Sequence, residues 1–96
     1  MKFAIIDDAH CEAQGEPYSQ REEAVAELKR RATIPWNEEP NRAPCRNWSK
    51  CGRRYVIEEY DDTESDLISR VLMLEISAKG VEWPQKPFTN AIESPR

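Results

Sequence analysis

The side chains best suited to metal or thiol chemistry are one histidine and three cysteines: His10, Cys11, Cys45 and Cys51. Together they supply the donor types of a Cys₃His zinc site. Their spacing argues against such a site, because structural zinc sites usually take ligands from Cys-x₂₋₄-Cys pairs, whereas five residues separate Cys45 from Cys51. His10 and Cys11 are immediate neighbours. The sequence therefore predicts no metal site and no cofactor.

The conformation of the segment between Cys45 and Cys51 decides whether these two thiols can act together. In a helix their Cα atoms would lie about 9 Å apart, too far for one metal ion or for a disulfide. An irregular loop would remove that objection. We expect all three cysteines to be ordinary reduced thiols, and a small zinc or thiol-redox protein that uses Cys45 and Cys51 is the second alternative function.

The residues that could support catalysis form no recognisable constellation. His10 and one of the later cysteines could make a nucleophile pair, but the sequence names no third group that would orient the histidine. The aspartate pairs at positions 7–8 and 61–62 are of a kind that binds magnesium, although adjacent acids at strand ends are more often solvated turn residues. Only three glycines are present, and no glycine-rich phosphate loop. We predict that the protein is not an enzyme.

The charged side chains fall into two adjoining segments of opposite sign. Residues 42–54 carry five basic side chains and no acidic one, and residues 58–66 carry six acidic side chains. The basic segment also holds a tryptophan, whose ring can be buried at a protein interface or stacked on a nucleic-acid base. The predicted binding residues are Arg42, Arg46, Trp48, Lys50, Arg53 and Arg54.

This basic segment predicts recognition of a protein partner, because complementary charge sets association rates and partner choice. The protein is then a small, non-catalytic binding or regulatory domain. Nucleic-acid binding by the same segment is the first alternative, and the formal net charge of -4 disfavours it, since such domains usually carry a clear basic excess. Pairing of an exposed sheet edge with a second copy of the chain is left open.

The hydropathy of the chain predicts a cytoplasmic protein. The apolar stretch near the N-terminus spans four residues, positions 3–6, which is shorter than the core of a secretory signal. No window approaches the roughly 20 apolar residues that a transmembrane helix needs. We expect no membrane partner.

The elements that would position these residues are short. Residues 2–7 are apolar and rich in isoleucine, which predicts a strand. Residues 20–32 give the strongest helix signal, with acids near the start and bases near the end. Residues 54–60 are rich in strand formers, and residues 71–77 fit a buried strand better than a helix.

This element order, β-α-β-β, predicts an α+β fold in which a small single-layer sheet of about three strands packs on one main helix. We expect one domain at residues 1–83 with a long insertion at residues 33–53, and a flexible C-terminal tail at residues 84–96. Within the insertion, residues 44–52 fit a short helical turn. The predicted core is Phe3, Ile5, Val25, Leu28, Tyr55, Ile57, Leu72, Leu74, Ile76 and Trp83.

Overall fold

The computed structural model describes residues 1–45, 51–63 and 65–84. The elements in chain order are β1 (Lys2–Asp7), β2 (Glu12–Ala13), α1 (Arg21–Ala32), β3 (Arg53–Tyr60), β4 (Leu67–Ser77) and β5 (Gly80–Glu82). All five strands belong to one antiparallel sheet, in the order β2-β1-β3-β4-β5. Most of the predicted helical turn and nearly all of the predicted tail lie outside the described residues.

The predicted α+β fold, a three-stranded sheet packed on a main helix, is wrong. The protein is mostly sheet, with five strands and, across the described ranges, a single helix of 12 residues. The sequence pattern missed β2 and β5, which have two and three residues. Runs this short show no alternation of apolar and polar side chains, and each is a strand only because a longer neighbour pairs with it.

The segment whose sequence allows a helix as well as a strand is a strand. β4 begins at Leu67, four residues before the predicted start at position 71. Leu67 and Ile68 are half exposed. Because these first residues are not buried, their apolar character gives no pattern that separates a strand from the preceding turn.

The hydrophobic core lies between α1 and one face of the sheet. Its buried members are Phe3, Ile5, Ala24, Leu28, Tyr55, Ile57, Met73, Leu74 and Ile76. Met73 takes the place predicted for Leu72, because the register between β3 and β4 shifts by one residue at this point. A bulge of this kind reverses which side chains of a strand face the core. Val25 and Trp83 are only partly buried against the core.

Polar side chains fasten α1 to the sheet. Arg31, in the last turn of the helix, donates from Nε to Glu27 Oε2 at 2.7 Å and from Nη1 to Gln14 Oε1 at 2.8 Å. Its guanidinium also lies 5.2 Å from the centre of the Tyr55 ring on β3, within the range of a cation–π contact. Arg31 thereby connects the helix to both the β1–β2 side and the middle of the sheet.

No helix in the part of the chain that the structure describes has the length and apolar character that crossing a membrane requires.

Candidate thiol and histidine site

The residues with chemical potential meet at one end of the sheet, where β1 ends and β3 begins. Asp7, the last residue of β1, pairs with Tyr55 of β3. His10 lies in the turn that follows β1, and Cys45 and Cys51 precede β3 in the chain. A ring nitrogen of His10 and the two sulfur atoms all lie within 4.8 Å of one another. The antiparallel pairing of β1 with β3 is what brings residues 35 or more positions apart to one place.

Cys45 and Cys51 are joined by a disulfide, with their Cα atoms 7.1 Å apart. This differs from the expectation that all three cysteines are reduced thiols. The separation is shorter than the roughly 9 Å that a continuous helix would impose, so the objection raised from helical geometry does not apply. Cys11 is a free cysteine and is exposed.

His10 is oriented by a buried carboxylate. Its Nδ1 lies 2.7 Å from Oδ2 of Asp7, whose side chain has no exposed surface, while the His10 side chain is 16% exposed. With Nδ1 engaged by Asp7, Nε2 is the ring nitrogen left to accept a proton or to bind a metal. The interpretation of Asp7 as a solvated turn residue is therefore wrong. This carboxylate is the orienting third group that the sequence did not reveal.

Asp7 keeps its negative charge although it is buried. Its Oδ2 also accepts a hydrogen bond from Nη1 of Arg53 at 2.8 Å, and its Oδ1 accepts from the backbone N–H groups of Ala9 and Arg54, both at 3.1 Å. Burial by itself would raise the pKa of Asp7, but the hydrogen bonds outweigh it and lower the pKa below its ordinary value. A charged carboxylate therefore faces His10.

Arg53, which the sequence placed in a partner-binding surface, is an internal group. Its side chain is only 6% exposed. Besides Asp7, it donates from Nη1 to Glu12 Oε1 at 2.6 Å and from Nη2 to the carbonyl oxygen of Arg42 at 2.9 Å. The hydrogen bond from Arg53 is also the main reason that the pKa of Glu12 is lowered. We leave Arg53 out of any partner-binding surface, because its charge is used inside the protein.

Asn41 fixes the segment that leads to Cys45. It is 1% exposed, and its Nδ2 donates to the carbonyl oxygens of Arg31 and Ile34, both at 2.8 Å. Its Oδ1 accepts from the Tyr55 hydroxyl at 3.0 Å. The sequence offers no signal for this role, because an asparagine in a proline-rich stretch normally indicates a solvated turn.

Gly52 determines how Cys51 approaches the sheet. A Cβ atom at this position would lie 2.6 Å from the carbonyl oxygen of Ile76 and 2.9 Å from Cβ of Ser77, both on β4. A side chain of any size would push β4 away from this segment. The glycine therefore allows the chain beside Cys51 to lie directly against the neighbouring strand.

Two recesses adjoin the disulfide. One, of about 580 Å³, is lined by Cys45 and by arginines that include Arg42. The other, of about 480 Å³, is lined by Cys51, Arg54 and Glu75 among others. Arg54 is half exposed, and its guanidinium lies 3.6 Å from the Glu75 carboxylate. Each of the two cysteines thus borders a recess that contains both basic and acidic side chains.

The three remaining members of the predicted binding set, Arg46, Trp48 and Lys50, lie outside the described residues. Recognition of a partner by the basic segment stays a prediction. Arg42 is exposed, and its backbone carbonyl is held by Arg53.

Comparisons of the chain with models of protein families, with curated proteins and with solved structures found no match.

Proposed function

We propose that the protein is a small cytoplasmic thiol-redox protein whose working group is the Cys45–Cys51 pair. The main support for this proposal is that both sulfur atoms and a ring nitrogen of His10 lie within 4.8 Å of one another. A buried carboxylate beside them orients the imidazole. In the cytoplasm, thiols are kept reduced, and the disulfides that do form there are usually transient and catalytic or redox-sensing. A pair with an adjoining base fits that pattern better than it fits a purely structural cross-link.

The proposed reaction is thiol–disulfide exchange with a small-molecule or protein disulfide. In the reduced protein, one cysteine thiolate attacks a sulfur of the substrate disulfide, forming a mixed disulfide and releasing the first substrate sulfur as a thiolate that takes up a proton. The second cysteine then loses its proton and attacks the mixed disulfide. The Cys45–Cys51 bond forms, the second substrate thiol leaves, and two electrons have passed from the protein to the substrate.

His10 supplies the proton acceptor for these steps. A thiolate, not a thiol, is the attacking species, and an imidazole within reach favours its formation. The interaction between Asp7 and Nδ1 selects the tautomer in which Nε2 is the accepting nitrogen. Asp7 is therefore a positioning residue, because it acts on the sulfurs only through His10.

The test is a redox titration of the purified chain in dithiothreitol buffers, with the thiol state read by alkylation and mass spectrometry. We expect a single two-electron transition, absent in Cys45→Ser and in Cys51→Ser and unchanged in the control Cys11→Ser. His10→Ala keeps the transition but slows exchange with oxidised glutathione, roughly 10²-fold or more for the loss of a general base. If the two cysteines reacted independently, each forming its own mixed disulfide instead of the Cys45–Cys51 bond, or if the exchange rate were indifferent to His10→Ala, the proposal would be refuted.

A second candidate function is the recognition of a partner by the basic segment, and one observation favours linking it to the first. Arg42 lines the recess beside Cys45, and Arg54 lines the recess beside Cys51. Basic groups beside both sulfurs would draw in acidic disulfides or acidic protein surfaces. Nucleic acid is the alternative partner of the same segment.

The two partner classes are separated by salt dependence and by Trp48. Duplex nucleic acid should bind with an affinity that falls log-linearly with salt and hardly depends on Trp48→Ala. A protein partner should depend strongly on Trp48→Ala and only moderately on salt. If the double variant Arg46→Glu, Lys50→Glu retained every bound species, the basic segment would not be the binding surface.

A further inference from the structure

We infer that the reduced form of this site binds a zinc ion through Cys45, Cys51 and His10, with the fourth position open. The inference rests on the proposed function in one respect, namely that the Cys45–Cys51 bond can be reduced. Beyond the proposed function, it assigns Zn²⁺ as a ligand of the reduced protein. Metal binding and disulfide formation then exclude each other.

The donor atoms already lie close to the positions that zinc requires. Zinc takes thiolate sulfur at about 2.3 Å and imidazole nitrogen at about 2.0 Å, so adjacent ligand atoms around a tetrahedral ion are about 3.5–3.8 Å apart. The sulfurs of Cys45 and Cys51 and one ring nitrogen of His10 lie within 4.8 Å of one another. After reduction the two sulfurs separate, and the three donors need only small side-chain movements to surround one ion.

The histidine has the outer contact that zinc-binding histidines usually have. A ligating imidazole nearly always donates its other N–H to a carboxylate, a carbonyl or a water, which fixes the ring and strengthens the ligand. Here Asp7 occupies that position at 2.7 Å from Nδ1. The carboxylate is itself held by the backbone N–H of Arg54 and by the Arg53 guanidinium. The ring is therefore oriented before any metal arrives.

The charges around the site also suit a divalent cation. Two thiolates balance the charge of Zn²⁺, and Asp7 is already paired with Arg53 at 2.8 Å, a guanidinium that it shares with Glu12. Metal binding therefore adds no net charge beside the buried pair. An unpaired buried charge would be costly, and this arrangement avoids one.

Three protein ligands leave one coordination position for water or for an added thiol. Cys11 is the next residue to His10, but it is exposed and does not belong to the group of converging donors. We assign it no role as a ligand. Zinc sites with three protein ligands and an open position are the type that binds exogenous molecules.

The experiment is a titration of the full chain with Zn²⁺ against a chromophoric chelator, without oxygen and after reduction by a phosphine that does not contribute thiols. We expect one Zn²⁺ per chain in the reduced protein and none in the oxidised protein. Cys45→Ser, Cys51→Ser and His10→Ala each weaken binding by 100-fold or more, and Cys11→Ser leaves it unchanged. Co²⁺ in place of Zn²⁺ should give a thiolate-to-cobalt absorption band that Cys45→Ser diminishes.

Asp7→Asn tests the positioning role and should weaken zinc binding roughly 10–100-fold. Because Asp7 is buried, circular dichroism must show that Asp7→Asn is folded. If Asp7→Asn does not fold, His10→Ala, at a partly exposed position, is used for the test instead. Failure of the reduced wild type to bind Zn²⁺, or equal binding by Cys45→Ser, overturns the inference. Reversible disulfide exchange without zinc binding would leave the proposed function standing, whereas zinc binding without exchange would remove the function and keep the metal site.

Discussion

Asp7 and Arg53 form a buried ion pair across β1 and β3, with Oδ2 and Nη1 2.8 Å apart and side chains that are 0% and 6% exposed. Both members of this pair, which holds β1 and β3 together, also contact residues of the candidate site or of the segment that leads to it. The same Asp7 oxygen contacts His10, and the same guanidinium holds the carbonyl of Arg42, three residues before Cys45. A disturbance of the pair should therefore affect stability and thiol chemistry together.

Removal of the arginine from this pair should be strongly destabilising. Arg53→Met keeps much of the side-chain volume but leaves the Asp7 carboxylate buried without its cation, which typically costs about 3–5 kcal/mol of unfolding free energy. Urea denaturation measures the loss. The matched control is Arg54→Met, the next residue, whose half-exposed side chain makes only peripheral ion pairs and whose loss should cost less than about 1 kcal/mol. Equal effects of the two changes would show that the pair is not special.

The stability of the protein should fall in acid, and carboxylates that are hydrogen-bonded in the fold set the range. The pKa of Glu27 is lowered to about 2, mainly by the hydrogen bond from Arg30, and the pKa of Asp7 is also below its ordinary value. A lowered pKa means that the unfolded state takes up protons first as the pH falls. The stabilisation is thus complete above about pH 5 and is lost between pH 4.5 and pH 2.

Unfolding free energies measured between pH 2 and pH 7 test this dependence. Glu27→Gln should flatten the acid limb of the profile, because the variant has no carboxylate to protonate. Glu38→Gln, at an exposed position without a side-chain ion pair to any residue that the structure describes, is the control and should follow the wild type. A profile of Glu27→Gln that is parallel to the wild type throughout would contradict the expectation.

Gly52→Ala should destabilise the protein because of a steric clash. The added Cβ would lie 2.6 Å from the Ile76 carbonyl oxygen, which is backbone and cannot turn away. Overpacking of this kind typically costs about 1–3 kcal/mol. Thermal unfolding measures the loss, and the same change should slow closure of the Cys45–Cys51 bond, since β4 must move. Gly15→Ala is the control, because the Cβ that it adds would have no atom within 4 Å. This variant should leave closure of the Cys45–Cys51 bond unaffected, which separates the effect of a clash from that of backbone strain.

Asn41→Ala should loosen the segment before Cys45. The Ile34 carbonyl and the Tyr55 hydroxyl lose the partner that Asn41 provides, and the Arg31 carbonyl keeps only the backbone N–H of Ile34. Each buried group left unsatisfied costs about 1–3 kcal/mol. We expect faster limited proteolysis within residues 33–45 together with a lower unfolding free energy. Asn37→Ala, an exposed position in the same segment, should change neither. If both variants were cleaved at the wild-type rate, Asn41 would not be what holds the segment.

The sequence by itself determined the elements whose signals are local. β1 and α1 appear within a residue of their predicted bounds, and β3 begins one residue earlier than predicted. Alternation, helix propensity and charge at the helix ends are properties of neighbouring residues, so they can be read along the chain. Most of the core follows from the same patterns, apart from Ala24 and Met73, which the patterns missed, and Val25, Leu72 and Trp83, which are only partly buried.

Only the tertiary structure decided the rest, because it depends on contacts between residues far apart in the chain. The short strands β2 and β5 exist through pairing, and the bulge in β4 arises from its register with β3. Arg53 and Arg54 are adjacent and equally basic in the sequence, yet one is buried against Asp7 and the other is half exposed. In the same way, the sequence shows that His10, Cys45 and Cys51 are present but not that they lie close together. Their proximity follows from the antiparallel pairing that places the end of β1 beside the start of β3.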